Sequence, residues 1–215
     1  HQAHQDIQSK RIEALNRLLN PGNPNITVSC SENLMQRVMP ALALSQREVL
    51  VESGTEHPRE PLIASLHDMG YSRMTLVEER AELSVRGAIL DVFPPALEDP
   101  VRIEFFGDTV ESIRTFDIST QRSKQARQSV KILPAKEALP ARENLEYAID
   151  KVLVRAEELG LGRDAWEGLR DRLKEGRSCH DLLNMPSMLP LFYPSLDSVF
   201  DYLPEDTLLV YINPE

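Results

Sequence analysis

Residues 83–117 read LSVRGAILDVFPPALEDPVRIEFFGDTVESIRTFD, and this stretch decides the fold that the sequence predicts. It contains three segments rich in β-branched, aliphatic and aromatic residues, as is typical of β-strands. The predicted strands are residues 83–93, 101–106 and 109–116. Gly107 and Asp108 form a two-residue turn between the last two strands, which makes those strands antiparallel neighbours.

The strand at 101–106 separates apolar from polar side chains. Every second position is apolar and is expected to face a core: Val101, Ile103 and Phe105. Arg102 and Glu104 fall on the other face, and Arg86 of the preceding strand can join them there in an Arg–Glu–Arg cluster. From the residues alone, such a cluster is explained by cross-strand charge pairs, each worth a few tenths to about 1 kcal/mol.

The rest of the chain predicts a mixed α+β and α/β protein in three regions. Residues 1–47 are interpreted as a partial α/β unit, residues 48–135 as an α+β domain with an antiparallel meander, and residues 136–215 as a mainly helical region that ends in a strand. Helices are expected at 5–19, 31–38, 58–69, 143–159, 166–173 and 178–184. Strands outside the meander are expected at 26–28, 48–51, 74–77, 130–133 and 207–212.

The composition argues against several classes of protein. The formal net charge is −10, and an acidic chain is a poor candidate for autonomous nucleic-acid binding, because phosphate contacts need an excess of Lys and Arg. No apolar run reaches the roughly 18 residues of a membrane span, and the polar first residues do not resemble a signal peptide. A cytoplasmic protein is therefore expected. The chain begins without Met in the approach to a helix, so we interpret it as an excised part of a longer protein.

No arrangement of residues predicts catalysis or a bound cofactor. The sequence has no GxxxxGK[ST] and no GxGxxG, so no glycine-rich turn is present to bind phosphate groups. Cys30 has no base fixed beside it, and a buried structural thiol is the preferred interpretation over a nucleophile. Cys179 and His180 lack the further Cys or His that a tetrahedral metal site needs. We expect no catalytic residue, no cofactor and no metal in this chain.

The motifs RGAILDVFP, RIEFFGD, ESIRTFD and STQR resemble one known interaction domain. It is shared by UvrB, the damage-verifying subunit of the Uvr excision nuclease, and by the transcription-repair coupling factor (Mfd) family. Segments HQDIQSKRIEALNRLL, ENLMQRVMP and LPLFYPSLDSVFDYLPEDTLLV are similar to the coupling-factor family in particular. The resemblance covers almost the whole chain and points to the amino-terminal, UvrB-like module of that bacterial family.

This resemblance implies a non-catalytic module that recruits UvrA to stalled transcription complexes in nucleotide excision repair. It also implies that residues 1–47 are the remnant of a helicase-like α/β domain. The parent is expected to be an ATP-dependent DNA translocase, in which ATP, Mg²⁺, DNA and RNA polymerase are bound by other domains. The rest of the parent is a further, intramolecular partner, and no membrane is implied.

The same resemblance implies a set of residues that contact UvrA. The family's docking surface includes an Arg just after a helix-ending Tyr, the Arg of the RG step, and the Glu that precedes the paired aromatic residues. These positions correspond here to Arg73, Arg86 and Glu104. Arg102 and Phe93 are added as neighbours of these three.

Two other functions remain open. The module can act as an autoinhibitory clamp that packs on the rest of the parent and masks the UvrA surface. The chain can also be a piece of UvrB that contacts damaged DNA. Its acidic charge, the absence of a phosphate-binding loop and the absence of the aromatic-rich hairpin with which UvrB grips DNA argue against this alternative. UvrB carries one more Arg two residues before the RG step, where this chain has Ser84, so part of the UvrB contact set is expected to be absent or weaker.

Overall fold

The chain folds around one six-stranded β-sheet, and the computed structural model describes residues 2–22, 26–139, 141–174 and 188–212. The strands are β1 (Arg37–Val38), β2 (Val49–Glu52), β3 (Ser72–Arg73), β4 (Glu82–Arg86), β5 (Ile89–Val92), β6 (Val101–Phe106), β7 (Thr109–Phe116), β8 (Ser123–Arg127), β9 (Ser129–Ile132) and β10 (Asp197–Ser198). The helices are α1 (Gln2–Leu19), α2 (Ser31–Leu34), α3 (Ala41–Ser45), α4 (Arg59–Asp68), α5 (Arg142–Glu158), α6 (Arg163–Lys174) and α7 (Leu189–Phe192), with a 3₁₀ helix at Val199–Tyr202. None of the described helices is long and apolar enough to span a membrane.

The six-stranded sheet has the order β3-β4-β5-β6-β7-β8, so neighbours in the sheet are also neighbours in sequence. β3 and β4 run parallel, and the other adjacent pairs of this sheet are antiparallel. Two smaller antiparallel sheets pair β2 with β9 and β1 with β10. A mixed α+β protein with an antiparallel meander is thus confirmed.

One face of the six-stranded sheet is buried in a core that it shares with α4. The apolar positions of β6 predicted to face a core are all buried, and α4 adds Leu62, Ile63 and Leu66 to the same core. Burying an aliphatic side chain of this size stabilises a fold by about 1.5–3 kcal/mol. The bounds predicted for β6 and β7 agree with the structure.

The single strand predicted at 83–93 is wrong, because the structure divides it into a hairpin of β4 and β5. Gly87 and Ala88 form the two-residue turn, and Arg86 is paired with Ile89 across it. Gly87 has a φ of +60°, a value that glycine adopts readily and that the first position of a type II′ hairpin turn requires. This division adds one strand, β5, to the predicted meander.

Two further predicted strands, at 26–28 and 207–212, are not strands in the structure. Val28 is 91% exposed, and the large apolar residues from Leu208 to Ile212 are all exposed as well. Both segments have the composition of strands, but a strand also needs a neighbour for its backbone hydrogen bonds. Within the described ranges, no strand pairs with either segment. The mainly helical third region therefore does not end in a strand here.

Two smaller predictions also need correction, and one strand was missed. The helix expected at 31–38 stops at Leu34, because Arg37 and Val38 pair with β10. The strand expected at 74–77 lies earlier, at Ser72–Arg73, and the chain then leaves the sheet. β8 was not predicted, since its residues SKQAR are polar or small and all exposed. The helix expected at 178–184 lies outside the described residues.

A second core joins segments from both ends of the chain. It contains Ile12 and Leu15 of α1, Val152 of α5, and Phe192 and Tyr202 near the C-terminus. Glu137, almost fully buried, accepts a hydrogen bond from the Arg11 guanidinium and another from the Met39 amide. Residues of the first and third predicted regions therefore pack together. The three-region division and the helicase-like character of residues 1–47 stay predictions.

The Gly87 turn supplies a stability test. Replacing Gly87 with Ala forces an L-residue into a positive φ, which costs about 1–2 kcal/mol, although a Cβ there would meet no atom within 4 Å. Gly87→Ala should therefore lower the free energy of unfolding measured by urea denaturation. The matched control is Gly168→Ala in α6, where a Cβ is equally unobstructed and a helical alanine should stabilise by about 0.5–1 kcal/mol. Equal effects of the two changes would contradict the assigned turn.

Candidate partner-binding surface

The second face of the six-stranded sheet carries three of the predicted contact residues. Side chains that are directly paired across neighbouring strands point to the same face of a sheet. One row of paired residues contains Arg86, Ile89, Glu104 and Ser112, and the next contains Ser84, Asp91, Arg102 and Arg114. We call this side of the sheet the polar face. The register therefore places Arg86, Arg102 and Glu104 on one face, as predicted.

One end of the polar face is covered by two loops. Val77 of the loop at 74–81 and Ile118 of the loop at 117–122 pack over Phe93 and Phe116 in a small third core. The guanidinium of Arg80 lies 4.9 Å from the centre of the Phe93 ring, which adds a cation–π contact. Phe93 is thus buried under these loops and not offered to solvent.

Asp91 occupies the centre of the polar face and is only 1% exposed. Its Oδ1 accepts a hydrogen bond from Arg102 Nε at 2.7 Å, and its Oδ2 accepts from Arg102 Nη2 at 2.8 Å. Oδ2 also accepts from Arg86 Nη2 at 2.6 Å. One buried carboxylate therefore holds two arginines, one of them through both prongs of its guanidinium.

The donors of Arg102 are satisfied inside the domain. Its Nη1 donates to the carbonyl oxygen of Gln121 at 3.2 Å, and its guanidinium lies 4.7 Å from the centre of the Phe116 ring. The hydrogen bond to Asp91 is the main cause that raises the pKa of Arg102 above its usual value. Arg102 therefore stays charged, and its side chain fastens the 117–122 loop to the sheet.

The loop that receives Arg102 is itself fixed by hydrogen bonds. The Asp117 carboxylate accepts from Ser119 Oγ at 2.6 Å and from the Thr120 amide at 2.9 Å. These bonds hold the pKa of Asp117 well below its usual range. Gln121 has a positive φ of 59°, and its side-chain Nε2 donates to the Ile118 carbonyl at 2.8 Å. The carbonyl that Arg102 contacts therefore has a defined position.

The other end of the polar face is open to solvent. The Arg86 side chain is 44% exposed and that of Glu104 is 30% exposed. Glu104 accepts a hydrogen bond from Ser112 Oγ at 2.6 Å, and Arg114 Nη2 lies 3.8 Å from its Oε2. Both charged groups are accessible, yet each is anchored on one side by a neighbour.

Arg73 lies apart from this group. It is exposed at the edge of the sheet, on β3, where its partner in the register is Leu83. Leu83 faces the core, so the register assigns Arg73 to the opposite side of the sheet from Arg86. The structure thus brings Arg86, Arg102 and Glu104 together, places Phe93 beneath the covering loops, and separates Arg73 from them.

Asp91 was missed because the turn at Gly87 was missed. In a continuous strand, residues five apart point to opposite faces, so Arg86 and Asp91 would not meet. The hairpin reverses the chain and pairs Asp91 with Ser84 and Arg102 instead. The carboxylate between the two arginines is therefore Asp91, whereas Glu104 pairs with Arg114. The only signal for Asp91 in the sequence is an acid between Leu90 and Val92, in an otherwise apolar run.

Ser84 is buried, and its hydroxyl donates to the carbonyl of Thr75 at 2.8 Å. This hydrogen bond fastens the covering loop at 74–81 to β4. Cys30 was expected to be buried and is exposed, because the segment before α2 packs against no described part of the chain. Among the described residues, no three His, Cys, Asp or Glu side chains cluster as metal ligands.

Comparison with known proteins agrees with this architecture. Residues 49–137, from β2 to just beyond β9, match the family model of the UvrB interaction domain. The chain contains a UvrB interaction domain. The resemblance that the motifs of β4 to β7 carry is thereby confirmed, and the polar face lies within this UvrB interaction domain.

Relatives extend the similarity beyond the UvrB interaction domain. The transcription-repair-coupling factor of Haemophilus influenzae is 33% identical over 207 residues, 96% of this chain. Those of Bacillus subtilis and Escherichia coli K12 are 31% and 30% identical over 215 residues, 95% and 96% of the chain. The chain spans only 17–18% of the length of these three proteins. The similarity therefore includes the regions that form the second core as well as the UvrB interaction domain.

The Asp91 cluster predicts a large effect of a small change. Asp91→Asn removes the charge that two guanidinium groups share, and breaking a buried pair costs about 3–5 kcal/mol. Since Arg86 is half exposed, we expect a loss at the lower end of that range, about 3 kcal/mol of unfolding free energy by urea denaturation. Asp99→Asn, which removes an exposed ion pair with Lys124 at 2.9 Å, is the matched control and should leave the midpoint unchanged. A stable Asp91→Asn variant would contradict the central role of this carboxylate.

Proposed function

We propose that the UvrB interaction domain of this chain docks on UvrA and, as part of a transcription-repair coupling factor, recruits UvrA to stalled transcription complexes in nucleotide excision repair. The observation that carries the proposal is the open end of the polar face. There Arg86 and Glu104 present a cation and an anion on a rigid sheet. The name of the matched family and the names of the relatives supply the context.

The geometry suits Arg86 to protein recognition. Asp91 occupies its Nη2, whereas its Nε and Nη1 groups have no hydrogen-bond partner in the described part of the chain. A planar guanidinium with free donors can hold a carboxylate by two hydrogen bonds. Because Asp91 restrains the side chain before binding, less rotamer entropy is lost when the partner arrives.

The proposed contact residues divide into two roles. Arg86 and Glu104 touch UvrA directly, and Arg73 extends the contact around the edge strand. Arg102 and Phe93 support the surface without touching UvrA, because the donors of Arg102 are used within the domain and the ring of Phe93 is buried. Charge pairs of this kind set the orientation and the association rate of a complex.

The proposal assigns no catalytic step to this chain. The longer relatives are expected to hold ATP and Mg²⁺ in a motor domain and to contact DNA and RNA polymerase through other domains. Residues 1–47 are then the remnant of a helicase-like domain. This chain supplies the surface that binds UvrA, and the motor domain of the parent moves along DNA.

Calorimetric titration of the chain with purified UvrA tests the site. The Arg86→Ala/Glu104→Ala variant should fold, because Arg102 still holds Asp91 through two hydrogen bonds. Its binding free energy should fall by about 2–5 kcal/mol, the cost of removing partners from interfacial charge pairs. That range corresponds to a rise of about 30-fold or more in the dissociation constant.

The matched control removes the same two residue types elsewhere. Arg155 and Glu158 form an exposed ion pair at 2.7 Å on α5, far from the polar face in sequence. The Arg155→Ala/Glu158→Ala variant should bind UvrA with unchanged affinity. Unchanged affinity of the Arg86→Ala/Glu104→Ala variant would refute the site, and failure of the unaltered chain to bind would refute the function.

A further inference from the structure

Phe106 is an aromatic side chain that the fold does not use. It is 81% exposed, whereas the preceding Phe105 is buried in the main core. By the alternation of β6, Phe106 lies on the polar face, two residues beyond Glu104. Phe106 belongs to none of the three cores, so the fold gives no reason for an aromatic ring at this position.

A β-bulge between β6 and β7 lies next to Phe106. The register pairs Glu104 with Ser112 and Phe105 with Val110, so Glu111 is an additional residue on β7. Bulges increase the local twist and re-aim the side chains next to them, and they are frequent beside functional sites. Phe106 is therefore at a point where the sheet changes direction and not on a flat continuation of it.

The Gly107-Asp108 turn that follows Phe106 is held in place by hydrogen bonds. The carbonyl of Asp108 accepts a hydrogen bond from the His57 amide at 2.7 Å, and its Oδ1 accepts from the Arg59 amide at the start of α4 at 3.2 Å. The Arg59 guanidinium donates to the carbonyl of Gly87. These bonds tie α4 to the turns of both hairpins, so little backbone entropy remains to be lost when Phe106 binds a partner.

We propose that Phe106 is the apolar anchor of the surface through which this domain binds its partner, a role that rests on the proposed docking function. The ring inserts into a partner pocket with apolar walls. The rim of that pocket carries a carboxylate for Arg86 and a cation for Glu104. Phe106 is thus a specificity-determining contact in addition to the charged residues.

The spacing of the three residues fits one interface. Arg86 and Glu104 are separated by two strand spacings, about 10 Å, and Phe106 follows Glu104 by about 7 Å along β6. A standard interface buries about 800 Å² on each partner, which is ample for all three. Aromatic residues and Arg dominate the energetic centres of interfaces. The flanking charges fix the orientation of the ring, and they disfavour unspecific contacts with apolar surfaces.

The experiment measures UvrA affinity for three variants of the full 215-residue chain. Phe106→Ser should raise the dissociation constant by about 10-fold or more, and Phe106→Leu should raise it less because the apolar volume is partly kept. Val154→Ser removes another exposed apolar residue, on α5 and outside the six-stranded sheet, and should change the affinity by less than about twofold. All three should unfold at the temperature of the unaltered chain, since neither side chain contributes to a core.

The outcomes separate this inference from the proposed function. If Phe106→Ser binds like the unaltered chain while Arg86→Ala/Glu104→Ala does not, the anchor is refuted and the docking function stands. Equal losses for Phe106→Ser and Val154→Ser would also refute the anchor, because they indicate a general effect of surface polarity. If sedimentation of the chain alone shows self-association that Phe106→Ser abolishes, with UvrA affinity unchanged, the ring contacts a second copy and the inference is wrong. No binding by the unaltered chain would overturn the function and the anchor together.

Discussion

One buried carboxylate organises the polar face of this domain. Asp91 receives three hydrogen bonds from Arg86 and Arg102, and without those partners its burial would cost several kcal/mol. The two arginines have different consequences. Arg102 extends the network to the loop that covers Phe116, whereas Arg86 reaches solvent. A single acid thus links the covered part of the sheet to the part that remains accessible.

The two faces of the sheet use different physical means of stabilisation. Aliphatic side chains on one face pack with α4, and this packing requires little beyond volume and apolarity. On the other face, charged and polar groups satisfy one another, and each depends on the geometry of its neighbour. Such a network tolerates few changes of residue type, but it fixes exposed side chains with little freedom. A binding surface benefits from that property because its conformation before and after binding can be the same.

The sequence predicted β6 and β7 well, because their alternation and the Gly107-Asp108 turn are local signals. It did not predict the turn at Gly87, since strand-forming residues continue on both sides of that glycine. This one error also hid Asp91, because the direction of a side chain depends on where the strand reverses. β8 carries no apolar pattern, and residues 207–212 carry a strong one but have no neighbouring strand in the described part of the chain. Composition reports the tendency of a segment to form a strand, whereas pairing depends on what lies beside it. Arg102 and Glu104 were placed on one face because that conclusion needed only the parity of their positions within β6, whereas the place of Arg86 beside them depends on the register through β5.

The pairing of β2 with β9 has a consequence for how the domain can be moved. β2 opens the matched region and β9 lies near its end, and the two run side by side, with Lys131 Nζ 2.9 Å from Glu48 Oε2. The two ends of the domain are therefore adjacent, and the paired strands β2 and β9 connect it to the rest of the chain. Such a unit can be exchanged between host proteins, or closed into a cyclic chain by a short bridge, without stretching its backbone. Force applied along the main chain from outside the domain would therefore pass through the paired strands β2 and β9 and largely bypass the six-stranded sheet.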